Sequence, residues 1–239
     1  MLKVAVAQFN ATVGDLAGNV ARIAALAAEA RAAGAQVLLT PELSLCGYPP
    51  EDLLLRPDFY RACDAALDDL AAHSQGIALV IGHPEESGGR RFNAATVIEN
   101  GRRRAIYRKM RLPNYEVFDE KRYFEAGDVP CVVTMGGVRC GLNICADVWE
   151  AGAAEMAHAA GAELLLVLNA SPCHLEKQAL RAEVLGQRIQ ATGIPAVYAN
   201  LVGGQDELVF DGGSFALDGQ GAVCLRLPQF EEASRALFA

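Results

Sequence analysis

Val138-Arg-Cys-Gly-Leu-Asn-Ile-Cys-Ala-Asp-Val-Trp-Glu150 reads as a buried strand that ends in a cysteine and turns at once into a helix. Cys145 stands at that junction. A thiol at a helix N-terminus faces unpaired backbone N–H groups and the positive end of the helix dipole, which favour thiolate and can hold a developing oxyanion. A plainer reading makes Cys145 a small apolar residue closing a core strand, because free cysteines are among the most buried residues. The choice between the two depends on what other groups reach the same place.

Working outward, the strand–loop–helix order recurs. Leu2 to Phe9 alternates as a strand, an Ala-rich helix runs from about Asn19 to Ala33 and stops at Gly34, and Gln36 to Leu39 is a short buried strand. This β-α-β unit predicts parallel neighbours, with functional loops at the C-terminal ends of the strands. Thr40 to Asp52, dense in Pro and Gly, is such a loop, and a helix from about Asp58 to His73 follows it. Strands at Ile77–Gly82, Asn93–Glu99 and Arg104–Tyr107 are joined by turn-like links, which predicts antiparallel hairpins and hence a mixed sheet. Periodicity then disappears from Arg108 to Pro130, a charged and aromatic stretch of the kind that forms a site or a lid.

Beyond a strand at Cys131–Thr134 and the strand ending at Cys145, Asp147-Val-Trp-Glu150 has the form of a capping box, predicting a helix over Val148 to Ala160 with Asp147 as its N-cap. Strand Glu163–Leu168, a long helix from Leu175 to Ala191 and strand Ala196–Ala199 follow, then a loop-rich stretch from Asn200 to Ser214 and a final hairpin turning at Leu217 to Ala222. No linker or composition shift interrupts the chain, so residues 1–239 read as one domain.

Composition narrows the function. A hydrophobic content of 52% supports a sizeable core, and a net charge of −8 argues against a nucleic-acid surface. No apolar run reaches the roughly 20 residues needed to span a bilayer, and the start lacks a secretory pattern, so a cytoplasmic protein without membrane contact is expected. Seven cysteines without regular spacing fit reduced thiols, and four scattered histidines give no support to a metal site.

Three polar residues sit where strands give way to loops: Glu42, Lys109 and Cys145. A cysteine that attacks an amide needs a base to take its proton and return it to the leaving ammonia, and positive charge or N–H donors near the oxyanion. Glu42 suits the base, Lys109 the electrostatic stabiliser, and the Ala146 N–H a further donor. Singly, each has a plainer reading: Glu42 as a solvated loop carboxylate and Lys109 as an exposed charge.

Pro41-Glu42-Leu43, Tyr107-Arg-Lys109 and Asn143-Ile-Cys145-Ala-Asp147, in that order and each after a strand, resemble the nitrilase superfamily of carbon-nitrogen hydrolases along nearly the whole chain. The resemblance implies a Glu-Lys-Cys triad on an α/β fold, a four-layer α-β-β-α sandwich with two mixed sheets. Leu112-Pro-Asn-Tyr-Glu-Val-Phe-Asp-Glu-Lys-Arg-Tyr-Phe124, Asn169-Ala-Ser-Pro172 and Asn200-Leu-Val-Gly-Gly-Gln-Asp-Glu-Leu-Val-Phe-Asp-Gly212 are similar more narrowly to the glutaminase domains of glutamine-dependent NAD⁺ synthetases. That implies L-glutamine as substrate, Glu42 as general base, Lys109 as stabiliser of the tetrahedral intermediate, Cys145 as the nucleophile that becomes a γ-glutamyl thioester, and Glu120 as an additional glutamate beside the triad. Tyr115, Trp149 and Ser171 fall at positions that line the glutamine pocket, although they also read as a loop anchor, core filler and a helix cap. Lys177 and Arg181, four apart on one helix face, read either as a solvated stripe or as part of the site, with Lys177 the pocket candidate.

Two residues depart from the family pattern. Ala146 stands where an acidic residue usually follows the nucleophile, and Glu116 stands where relatives tend to carry glycine. The resemblance also implies a C-terminal, ATP- and Mg-dependent synthetase domain, for which this chain offers no Ser-Gly-Gly-x-Asp-Ser phosphate loop. The expectation is a glutaminase that needs no cofactor for the amidase step, working with that domain and forming a homo-oligomer. Alternatives are a free-standing amidase or carbamoylase of the same fold, and a weakly active interaction module that docks a partner domain.

Overall fold

Alternation along the strands decides how the layers form. The computed structural model describes residues 2–115 and 117–238, so the Glu116 departure lies outside the described residues. In β1 (Lys3–Gln8), Val4 and Val6 face one apolar core while Ala5 and Ala7 face another. Opposite faces of one strand thus serve two separate interiors, as a period of two requires.

α1 (Leu16–Ala32), β2 (Val37–Leu39), α2 (Pro57–Ala71), β3 (Ala78–Ser87), β4 (Arg90–Glu99) and β5 (Arg102–Arg108) complete the first half. The second half runs β6 (Val132–Met135), β7 (Val138–Ile144), α3 (Ala153–Ala159), β8 (Leu164–Asn169), α4 (Lys177–Thr192), β9 (Ala196–Asn200), β10 (Val202–Gln205), β11 (Leu208–Asp211), β12 (Phe215–Leu217), β13 (Val223–Arg226) and β14 (Ala233–Phe238). Two six-stranded sheets result, in the orders β14-β1-β2-β3-β4-β5 and β13-β12-β9-β8-β7-β6, with β10 and β11 forming a separate hairpin. β1–β2–β3 and β7–β8–β9 are parallel, while β4, β5, β6, β12, β13 and β14 join their neighbours antiparallel. Both sheets are mixed, as expected.

The sheets face each other through Val4, Val6, Leu39, Val80 and Val97 on one side and Leu142, Ile144, Leu166, Leu168 and Val197 on the other. α1 and α2 cover the outer face of the first sheet, where Ile23, Leu26, Cys63 and Leu67 meet Leu38, Leu79 and Ile81. α3 and α4 cover the second, with Ala154, Ala157, Leu185 and Ile189 against Leu165, Val167 and Tyr198. The four-layer α-β-β-α sandwich is therefore present. Alanine makes up the buried face of α3, Ala153, Ala154 and Ala157, where a small side chain lets the helix lie close to the sheet. At the α3 contact, a Cβ on Gly141 would stand 3.0 Å from that of Ala157.

Three expectations change. α1 begins at Leu16, because Asp15 accepts from the Gly18 N–H and caps it, whereas Asn19 is buried and bonds Thr12 and Leu45. The helix expected over Val148–Ala160 is a tight turn at Cys145–Val148 followed by α3 from Ala153, so Asp147 is not an N-cap; it bonds back to Ile144 and across to Met110 and Arg111. The stretch read as loop from Asn200 to Ser214 contains the β10–β11 hairpin, and β14 forms at the C-terminal end.

Candidate active site

Glu42 and Lys109 leave β2 and β5 of the first sheet, and Cys145 leaves β7 of the second, so the site lies across the seam between the sheets. The Glu42 turn rests directly on β3. A Cβ on Gly82 would lie 2.5 Å from the Pro41 carbonyl oxygen and 2.6 Å from the Leu43 nitrogen, so only glycine permits the approach. The loop is further held by the Leu45 N–H on the Gly82 carbonyl at 3.0 Å. Lys109 is fixed by its own N–H on the Asn93 carbonyl at 2.8 Å.

Both side chains are fully buried. The Lys109 ammonium donates to Glu42 Oε1 and to Glu120 Oε1, each at 2.7 Å. Asn93 Nδ2 donates to the same Glu42 oxygen at 2.7 Å, and the Ala170 N–H donates to Oε2 at 3.0 Å. The Tyr48 hydroxyl reaches Glu120 Oε1 at 3.3 Å. The Cys145 thiol, only 7% exposed, lies beside Glu42, whose carboxylate is the charge that acts on it most strongly. Cys145 has φ +43°, an unusual conformation for a residue with a side chain and one that costs on the order of 1–3 kcal/mol.

Electrostatics assign resting states. Burial works against the Lys109 charge, but Glu120 and Glu42 outweigh it and hold the pKa well above the ordinary lysine value. Burial pushes the Cys145 thiol well above its usual range, the Glu42 charge adds to the rise and Lys109 opposes it. The resting sulfur is therefore a thiol. This departs from the expected thiolate at a helix N-terminus: the turn from Cys145 to Val148 is too short to carry a helix dipole, and the site excludes water.

Burial raises Glu120 to about 7, against the pull of Lys109 and with the Glu42 charge adding to the rise. A carboxyl whose folded value lies above its unfolded one binds more protons in the folded state. Its contribution to stability is thus complete below about 4.5 and is lost as pH rises to about 7. Asp147, raised by burial from 3.8 to about 6, acts in the same direction over a lower window. Glu120→Gln is expected to flatten the fall of the thermal midpoint between pH 4.5 and 7; an unchanged slope in scanning calorimetry would contradict the assignment.

Glu42, Lys109 and Glu120 thus meet directly, and Cys145 stands beside them. The four expected pocket residues stand on separate segments and do not form one cluster. Ser171, which follows the Ala170 N–H that holds Glu42, is buried and donates its own N–H to Asn200 Oδ1 at 2.9 Å. Lys177 Nζ lies 4.1 Å from the centre of the Trp149 ring, a cation–π contact just beyond the Cys145 turn. Tyr115 is half-exposed and meets Phe118 edge-on, ring centres 5.9 Å apart.

Arg181 is not part of a solvated stripe. It is fully buried, donating to Ser171 Oγ at 3.1 Å, to the Ser171 and Pro172 carbonyls at 2.6 and 3.1 Å, and pairing with Asp211 on β11. Sequence reasoning missed Asn93, Tyr48 and the Arg181–Asp211 pair. Asn93 carried a usable signal, a polar amide in the otherwise apolar Phe92-Asn-Ala-Ala95 run of a strand. Among the described residues, no group of three or more His, Cys, Asp and Glu side chains is placed to hold a metal ion.

Comparison with known proteins matches residues 3–236 to the carbon-nitrogen hydrolase family. A glutamine-dependent NAD⁺ synthetase of Xanthomonas campestris is 49% identical over 226 residues, covering 93% of this chain and 41% of the relative. The chain therefore spans about 41% of the length of such curated relatives. Among solved structures, a glutamine-dependent NAD⁺ synthetase of Acinetobacter baumannii superposes with a TM-score of 0.95 at 36% identity, over 98% of this chain and 45% of that one. An amidase of Nesterenkonia sp., with acrylamide added at its active-site cysteine, superposes at 0.89 and 31% identity over 100% of this chain and 93% of that one.

Proposed function

The chain belongs to the carbon-nitrogen hydrolase family, and from that premise we propose that it hydrolyses the side-chain amide of L-glutamine through Cys145, Glu42 and Lys109. The observation that carries this reading is one buried carboxylate, Glu42, ion-paired to the Lys109 ammonium and acting electrostatically on the buried Cys145 thiol beside it. Cys145 Sγ attacks the carboxamide carbon while Glu42 takes the thiol proton. Because the base stands beside the thiol, the proton moves as the sulfur attacks and no free thiolate has to be maintained in a site that disfavours it. The C=O electron pair moves to oxygen, and the Lys109 ammonium and the Ala146 N–H stabilise that oxyanion. Collapse expels ammonia, which leaves with the proton returned by Glu42, and a γ-glutamyl thioester remains. Water then adds to the thioester with Glu42 as base, giving glutamate and the thiol.

Glu120 shares the Lys109 ammonium with Glu42 and so fixes where the cation stands. Tyr115, Trp149, Ser171 and Lys177 form the walls of the glutamine pocket. The amidase step uses no cofactor. The ammonia serves an NAD⁺ synthetase domain that uses ATP and Mg; the support is that relatives of this name match the chain over less than half of their own length. Homo-oligomer formation and work in the cytoplasm belong to the same reading. Among the described residues no helix is long and apolar enough to cross a membrane.

A second reading, a free-standing amidase for small aliphatic amides, is favoured by Ala146, which offers no carboxylate to a substrate ammonium, and by the near full-length match to the Nesterenkonia amidase. One set of assays tests both. Glutamine is expected to be hydrolysed with the higher kcat/KM, a glutamine-derived electrophile to add one adduct at Cys145 by mass spectrometry, and Cys145→Ala to abolish turnover. Preference for acetamide or propionamide would favour the second reading, and undiminished hydrolysis by Cys145→Ala would defeat both.

A further inference from the structure

Asp147 follows the nucleophile by two residues, is completely buried, and takes no direct part in the chemistry described above. Its carboxylate nevertheless accepts four hydrogen bonds, more than the Glu42 carboxylate does. Oδ1 accepts from the Met110 N–H at 3.0 Å and the Arg111 N–H at 2.8 Å. Oδ2 accepts from the Ile144 N–H at 2.9 Å and the Tyr107 hydroxyl at 2.7 Å. These donors come from both sheets of the sandwich. Met110 and Arg111 directly follow Lys109, Tyr107 is on the strand that delivers it, and Ile144 directly precedes Cys145. One carboxylate therefore joins the backbone that carries the cation to the backbone that carries the thiol, across a seam with no strand pairing between the two segments.

Cys145 holds φ +43° in a turn of only four residues. Such a conformation persists only where the surroundings over-determine it. The bond from the Ile144 N–H to Asp147 closes that turn from inside, and the other three donors fix the carboxylate that closes it. The Asn143 amide, 3.4 Å from the Tyr107 oxygen, adds a further tie between the same two strands.

We infer that Asp147 is a positioning residue that sets the strained Cys145 turn and holds it in register with Lys109, so that the oxyanion forms within reach of the ammonium. It rests on the triad reading above and adds to it a part for a residue that reads in the sequence as an ordinary helix cap.

Asp147→Asn separates the two halves of the clamp. An amide keeps one acceptor oxygen, which can stay on Met110 and Arg111, while its NH₂ turns to the Tyr107 oxygen and meets the Ile144 N–H as donor against donor. The loop side is retained and the nucleophile turn is released. The readout is kcat per chain labelled at Cys145 by the glutamine-derived electrophile, which removes any contribution from unfolded protein, together with KM. The expected result is a fall in kcat of about tenfold to a hundredfold with KM within about threefold of the parent, since a small misplacement of reacting groups is felt in the chemical step. Tyr107→Phe removes one donor and leaves the three backbone N–H groups, and is expected to lower kcat per labelled site about threefold.

A parental kcat per labelled site in Asp147→Asn overturns the inference. If that variant does not fold, parental values in Tyr107→Phe do so instead. Cys145→Ala run alongside keeps the two levels apart: if it still hydrolyses glutamine like the parent, the triad reading fails, whereas an inert Cys145→Ala beside a fully active Asp147→Asn removes only the positioning role.

Discussion

Glu42→Gln is expected to lower kcat for amide hydrolysis by about 10²–10⁴-fold, the usual contribution of a positioned general acid–base group. The substitution preserves volume and leaves Lys109 ion-paired to Glu120 at 2.7 Å, so the fold has no reason to fail. The lost function is specific. A thiol whose pKa is raised by burial cannot rely on ionising by itself, so the proton must leave to a neighbour during attack, and the carboxylate that acts most strongly on this thiol is Glu42. The same carboxylate must return a proton to ammonia, an exceptionally poor leaving group as the amide anion. Both half-reactions, formation of the thioester and its hydrolysis, are therefore slowed. KM is expected to change little, because Glu42 touches the reacting atoms rather than the glutamate end of the substrate. Steady-state kinetics with rapid-quench detection of the thioester checks this. A variant within about threefold of the parent would show that another group carries the proton.

What could be read in the sequence follows the range of the interactions involved. β1 and β8 were legible because alternation and unbroken apolar runs report burial on one or both faces within a few residues. Glu42, Lys109 and Cys145 were legible because strand ends can be placed from such patterns and chemistry collects at those ends. Asp147 was misread for the opposite reason. Asp147 and Glu150 have the local spacing of a capping box, yet the donors that claim the carboxylate include Tyr107 on the other sheet and Met110 and Arg111 just beyond that strand, all far away in the chain. β14 was missed because its pairing is equally remote: Ala233 lies opposite Gln8, and nothing in Ala233-Ser-Arg-Ala-Leu-Phe238 alternates strongly enough to mark a strand.

Arg181 shows the same limit in a helix. Its i,i+4 spacing from Lys177 places both on one helical face, and the exposed reading is natural for two cations. The helix end is roofed, however, by the loop at Ser171 and Pro172 and by β11, which brings Asp211 to the guanidinium at 2.8 Å. Arg181 thereby braces the segment whose Ala170 N–H holds Glu42 Oε2, while Lys177, one turn earlier, is left beside Trp149. Charge spacing told which face the two residues share, and only the tertiary roof told that one of them is enclosed.

Lys109→Met is expected to abolish measurable hydrolysis and to destabilise the fold by about 3–5 kcal/mol, the range found when one partner of a buried ion pair is removed. Methionine fills much of the space of the lysine stem, so packing loss is small and the effect is electrostatic. With the ammonium gone, Glu42 and Glu120, which now share it from 2.7 Å on each side, are left buried with no cation between them. At least one must then take up a proton, and Glu120, already raised to about 7 with Lys109 present, is the natural acceptor because Lys109 no longer pulls its value down. Adding Glu120→Gln to Lys109→Met should therefore recover part of the lost stability in urea titrations, by removing one of the two stranded charges. It should recover no activity, because the cation that stabilises the oxyanion is still missing. Recovery of stability without activity separates the two tasks of this lysine. Failure of the double variant to regain stability would mean that the two carboxylates do not depend on the cation, and full activity in either variant would remove Lys109 from the reaction.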